Sequence, residues 1–166
     1  MESLHTFLRD RLKGMTSLAV LGVGSELRAD DAAGMMLVEK LSEAFPRGKC
    51  PSLLLCPGET APENYSGKIR TFAPSHLLIV DAADLDKEPG EFVDINPRDV
   101  GGPTYCSHLL PIKVMVDYVV DGTETNVTLL GIQYKSLAFD GEMSVEVRNT
   151  VDEVFETLRG LINEKL

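Results

Sequence analysis

The run HLLIVDAAD, His76 to Asp84, constrains the fold more than any other stretch. It is an unbroken apolar strand that ends in acid, the pattern of a central parallel strand covered on both faces. Parallel neighbours need crossover segments, and helical periodicities stand where crossovers would lie. Ser17 to Val23 reads as a short buried strand. It is followed by a helix from Asp31 to Phe45, with Ala33, Met36, Leu37 and Leu41 on one face and Glu39, Lys40 and Glu43 on the other. Ser52 to Cys56 is a second strand, and Thr60 to Glu63 reads as a capping box opening a helix that runs to about Phe72.

After the central strand, Pro89-Gly90 marks a turn and Phe92 to Ile95 a short strand expected to run antiparallel, because no helix intervenes. Leu109 to Val120 reads as a helix opening near Pro111, Val127 to Gln133 as a fifth strand, and Ser144 to the C-terminus as a helix. In that last helix Val151, Val154, Phe155, Leu158, Leu161 and Ile162 keep the i, i+3, i+4 rule. Leu4, Phe7, Leu8 and Leu12 mark an additional N-terminal helix. The alternation predicts a three-layer α/β sandwich, with a mostly parallel twisted sheet of about five strands and helices on both faces. With 166 residues and no Pro/Gly/Ser-rich linker, residues 1–166 read as one domain, of which 1–15 form an N-terminal extension.

Composition excludes several functions. A net charge of -10 with scattered bases disfavours nucleic acid as a partner, and no apolar run approaches the roughly 20 residues that span a bilayer. The first residues lack a signal-peptide pattern, so the expected location is the cytoplasm, and the NVT at Asn126 is a chance glycosylation match. Cys50, Cys56 and Cys106 suggest reduced thiols rather than a disulfide framework or zinc knuckle. No Gly-x-Ser-x-Gly elbow, Walker lysine or His-Glu-x-x-His is present.

Ligands of such folds bind at the carboxyl ends of strands, where strand order reverses. There the chain offers Asp30 and Asp31 after strand one, Asp81 and Asp84 at the end of strand three, and His108 before the fourth-position helix. Carboxylate and imidazole suit a divalent ion such as nickel or zinc, with positions left open for a substrate. Each residue also has a plain structural reading. Aspartates at helix starts cap, an acid ending a strand forms turns, and a lone histidine is commonly a hydrogen-bonding residue. Asp30 in particular reads as a cap or orienting residue, whose replacement by Asn would cost about 1 kcal/mol or less. Gly22-x-Gly24 hints at a dinucleotide loop, but Leu27 stands at the third glycine position and the two aspartates would repel a pyrophosphate. Cys106 and His108 in YCSH are a further pair able to bind metal.

LGVGSELRADDAAG, APEN, LLIVDAADLDKEPGE and SHLLPI together resemble the opening motif, the two middle landmarks and the histidine segment of the nickel-iron hydrogenase maturation endopeptidases. The likeness covers nearly everything after the first fifteen residues, and points to the branch serving formate-hydrogenlyase-type or membrane-bound hydrogenases. It implies a phosphorylase/hydrolase-like fold and removal of a C-terminal peptide from the hydrogenase large-subunit precursor after nickel insertion. The metal-binding and catalytic triad falls on Asp31, Asp81 and His108, each expected on a loop. The nickel is carried by the substrate, held by its cysteine thiolates, and the resting enzyme binds metal weakly or not at all. The glycine turn would admit a bulky peptide ligand. Ser25 departs from the family's usual asparagine. A non-enzymatic metal chaperone for hydrogenase assembly and a Rossmann-type nucleotide-binding protein are the competing classes.

Overall fold

The computed structural model describes residues 3–97 and 109–166. Helix α1 (Leu4–Arg11) precedes strand β1 (Leu18–Val23), and a 3-10 turn (Ala29–Ala32) leads into α2 (Ala33–Ala44). Strand β2 (Leu53–Glu59), a 3-10 turn (Pro62–Tyr65) and α3 (Ser66–Phe72) follow, then β3 (His76–Ala83) and β4 (Phe92–Ile95). Helix α4 (Leu109–Val120), β5 (Asn126–Gln133) and α5 (Val145–Lys165) complete the described elements. The strands form one five-stranded sheet ordered β2-β1-β3-β5-β4. All pairings are parallel except β4 with β5, where the short connection from β3 brings β4 back antiparallel.

Strand alternation divides the core in two. Leu18, Val20, Leu78, Val80, Leu130 and Ile132 pack on the layer of α1, α2 and α5. Ala19, Leu21, Leu77, Ile79 and Leu129 pack on α3 and α4. Fully buried Val151, Val154 and Leu158 carry the seam of α5, and Ser144 caps that helix by accepting from the Val147 amide. Helix α1 adds Leu4, Phe7 and Leu8 to the same layer, with the Phe7 ring tilted against that of Phe92 on β4 at a centroid distance of 5.3 Å.

Two local expectations are corrected. Thr60 and Glu63 form no capping box: the turn opens with Ala61 as its cap and Pro62 in the first position, without a side-chain cap bond. Strand β2 also runs past Cys56 to Glu59, because the register slips between Gly22 and Val23 and the bulge absorbs Pro57-Gly58 at a sheet edge. Cys56 is buried beneath this edge, and burial pushes its thiol up to about 11 against the opposing charge of Lys68. It is a protonated core residue.

At the amino end of β3, His76 is nearly fully buried and its Nδ1 lies 3.0 Å from Ser75 Oγ. Burial lowers its pKa below the ordinary 6.5. The unfolded chain therefore binds a proton that the folded chain resists, so the stabilisation is complete above pH 6.5 and declines as pH falls through the lowered value. Urea midpoints at about pH 7.5 and about pH 5.5 are expected to differ more in the wild type than in His76→Gln.

Candidate active site

Strand order reverses between β1 and β3: after β1 the chain places β2 on one side and β3 on the other. The carboxyl ends of these two strands therefore border the crevice where ligands bind in open parallel sheets. Two glycines bring α2 against this edge. A side chain at Gly22 would run into the Gly34 carbonyl, and one at Gly34 would run into the Val80 and Val23 carbonyls. Gly24, at φ +123, similarly lies against the Asp31 carbonyl. The glycines of this turn thus serve close backbone contacts within the chain.

Asp31 lies in the 3-10 turn, only 5% exposed, and its Oδ2 accepts from the Ser25 amide at 2.9 Å. The Ser25 hydroxyl accepts from the Leu27 amide at 3.3 Å, so serine supports the turn locally at this position. The turn packs against β3. Asp81 stands on β3 beside Gly131 of β5 and is fully buried. By alternation with Leu77 and Ile79 it faces the layer of α3 and α4. It is therefore a strand residue rather than the loop residue expected. Asp84 follows β3 at its end. His108, and with it Cys106, lies outside the described residues. Of the other two histidines, His5 is on α1 and His76 starts β3, roughly 16 Å along the strand from Asp81. Among the described residues no three His, Cys, Asp or Glu side chains gather as a metal-binding group.

Asp30 does something that local sequence did not reveal. The caps of the 3-10 turn and of α2 make no side-chain bond, so it does not cap its own helix. Fully buried, it reaches across the fold instead. Its Oδ2 accepts from the amides of Lys135 at 2.8 Å and Ser136 at 3.0 Å and from the Ser144 hydroxyl at 3.0 Å, while Oδ1 accepts from the Ser144 amide at 2.6 Å. The preceding Ala29 is held in the left-handed region, φ 44, a conformation that costs about 1–2 kcal/mol and persists only where surrounding bonds impose it. Gln133 has a comparable task at the end of β5. Its Oε1 accepts from Leu85 at 2.7 Å and Lys87 at 3.3 Å, anchoring the segment after β3. Neither role has a short-range sequence signal. In both, the donors, mostly backbone amides, lie dozens of residues away.

Buried carboxylates at adjoining strand ends can bind a cation, or accept a proton from water as it attacks a carbonyl. The hydrogenase maturation protease family model matches residues 35–160, beginning just after Asp31. A putative hydrogenase maturation protease of Methanocaldococcus jannaschii is 32% identical over 165 residues, covering 97% of each chain. The hydrogenase 3 maturation protease of Escherichia coli is 34% identical over 142 residues, 85% of this chain and 88% of the relative. The crystal structure of a nickel-iron hydrogenase maturation protease from Thermococcus kodakarensis superposes with a TM-score of 0.85 at 28% identity, over 95% of this chain and 99% of that one.

Proposed function

The chain belongs to the hydrogenase maturation protease family and is an endopeptidase, and on that premise we propose that it removes a C-terminal peptide from the nickel-loaded large-subunit precursor of a nickel-iron hydrogenase. Asp31, Asp81 and His108 are the residues we assign to contact the nickel, which the precursor itself holds through cysteine thiolates. The observation that supports this reading is a pair of buried carboxylates at the switch point of the sheet, Asp31 in the turn after β1 and Asp81 on the neighbouring β3. Water attacks the scissile carbonyl, and its proton passes to one of these carboxylates or is lost under polarisation by the substrate's metal. The peptide bond breaks and the leaving amine takes up a proton.

Two carboxylates and one imidazole lack the thiolates and multiple histidines of stable zinc sites, so the coordination shell is completed only in the complex. The metal then acts as a checkpoint, because a precursor without nickel offers the triad nothing to bind. Metal-stripped protease incubated with nickel-loaded and nickel-free precursor should trim only the loaded form, as read by mass spectrometry. Equal trimming of both, or trimming that depends on zinc preloaded on the protease, would overturn the mechanism. We further place the protein in the cytoplasm, and read the 2-1-3-5-4 order with its antiparallel edge as phosphorylase/hydrolase-like. Among the described residues no helix is long and apolar enough to cross a membrane.

A further inference from the structure

We propose that Leu27 and Phe139 form an apolar rim beside the crevice that docks the folded body of the precursor, apart from the tail that is cut. The inference rests on the precursor being the substrate. Among the described residues six large apolar side chains are exposed, and three of them hang on the network around Asp30. Leu27 is 60% exposed on the loop between β1 and Asp31, Phe139 is 75% exposed on the loop between β5 and α5, and Val145 is 67% exposed next to Ser144.

The two loops are joined to each other. The Asp140 amide donates to the Leu27 carbonyl at 2.8 Å, Arg28 Nε donates to the Leu137 carbonyl at 3.3 Å, and the Asp30 amide donates to the Ser136 carbonyl at 3.1 Å. With the Asp30 carboxylate on Lys135, Ser136 and Ser144, both ends of the second loop are tied to the turn that carries Asp31. Leu27 and Phe139 are therefore projecting side chains on a fixed support, on loops that follow β1 and β5 and are bonded to the turn that carries Asp31.

Projecting apolar anchors of this kind fill pockets in a folded partner, and few such residues supply most of the binding energy of an interface. An extended tail would instead be read by backbone pairing or by a groove. The other three exposed residues, Leu110, Val114 and Tyr118, form a stripe on α4, where the Arg70 guanidinium already lies 4.6 Å over the Tyr118 ring.

The test measures steady-state trimming of full-length, nickel-loaded precursor by wild type, Leu27→Ser, Phe139→Ser and, as an off-rim comparison, Val114→Ser. Each rim variant is expected to raise KM about tenfold, with kcat within about twofold and an unchanged melting temperature. Val114→Ser should match wild type. Unchanged KM in both rim variants would overturn the docking role while leaving the protease reading intact, as would a fall confined to kcat. A wild-type dimer that Phe139→Ser dissociates would make the rim a self-interface and overturn it as well. Wild type that trims no precursor would overturn the functional reading and this proposal together.

Discussion

Asp81→Asn should give a folded protein that trims its precursor about a thousandfold more slowly. The change keeps the side chain's shape and removes only its charge and its capacity to take up a proton, and such groups contribute roughly 10²–10⁴-fold to catalysis. Asp81 is fully buried on β3, where a carboxylate loses its hydration. On the reading proposed above, that carboxylate serves the crevice. Stability should accordingly change by about 1 kcal/mol or less in either direction. Asp31→Asn should follow the same pattern with a smaller margin of safety, since Oδ2 also holds the Ser25 amide. The measurements are single-turnover trimming and thermal melting side by side. An Asp81→Asn protein that melts normally and processes at full rate would remove Asp81 from the site.

Asp30→Ala should destabilise the protein by about 3–5 kcal/mol, a large share of the roughly 5–15 kcal/mol that holds a domain together. The variant strands the amides of Lys135, Ser136 and Ser144 and the Ser144 hydroxyl, all four of which the carboxylate now receives. For a chain of this length that corresponds to a drop of about 10 °C in Tm. Asp30→Asn keeps one acceptor oxygen but turns an amide NH₂ toward the remaining donors. It should cost about 2 kcal/mol, more than the value expected of a simple cap. Equilibrium urea unfolding of both variants decides the matter, and a loss below about 1 kcal/mol for Asp30→Ala would mean that water replaces the carboxylate without penalty.

What could be read in the sequence followed from periodicity. The apolar run from His76, the antiparallel β4 and the Leu109–Val120 helix were all expected, because burial on one or two faces leaves a local pattern. The placement of the two aspartates was legible for the same reason: once the strands are known, Asp31 follows β1 and Asp81 stands near the carboxyl end of the neighbouring β3. The capping box failed because Pro62, with φ preset for a first helical position, opened the turn ahead of the side chains that could have capped it. The end of β2 was misjudged because Pro57-Gly58, usually a break, is tolerated as a bulge on an edge. Asp30 was the hardest residue to read. Its neighbours in sequence are a plausible helix start, while its true partners lie 105 to 114 positions away.

That separation has a consequence for when the enzyme can work. During synthesis the segment from β1 through Asp31 emerges first, but the carboxylate of Asp30 has no folded destination until Ser144 and the start of α5 have also been made. Until then Ala29 has nothing to hold it in its left-handed conformation, and the turn bearing Asp31 lacks its support. A nascent chain thus carries Asp31, the first carboxylate of the proposed site, without the geometry that holds it in the finished fold. Proteolytic competence arrives with the last third of the polypeptide, as a property of the finished molecule.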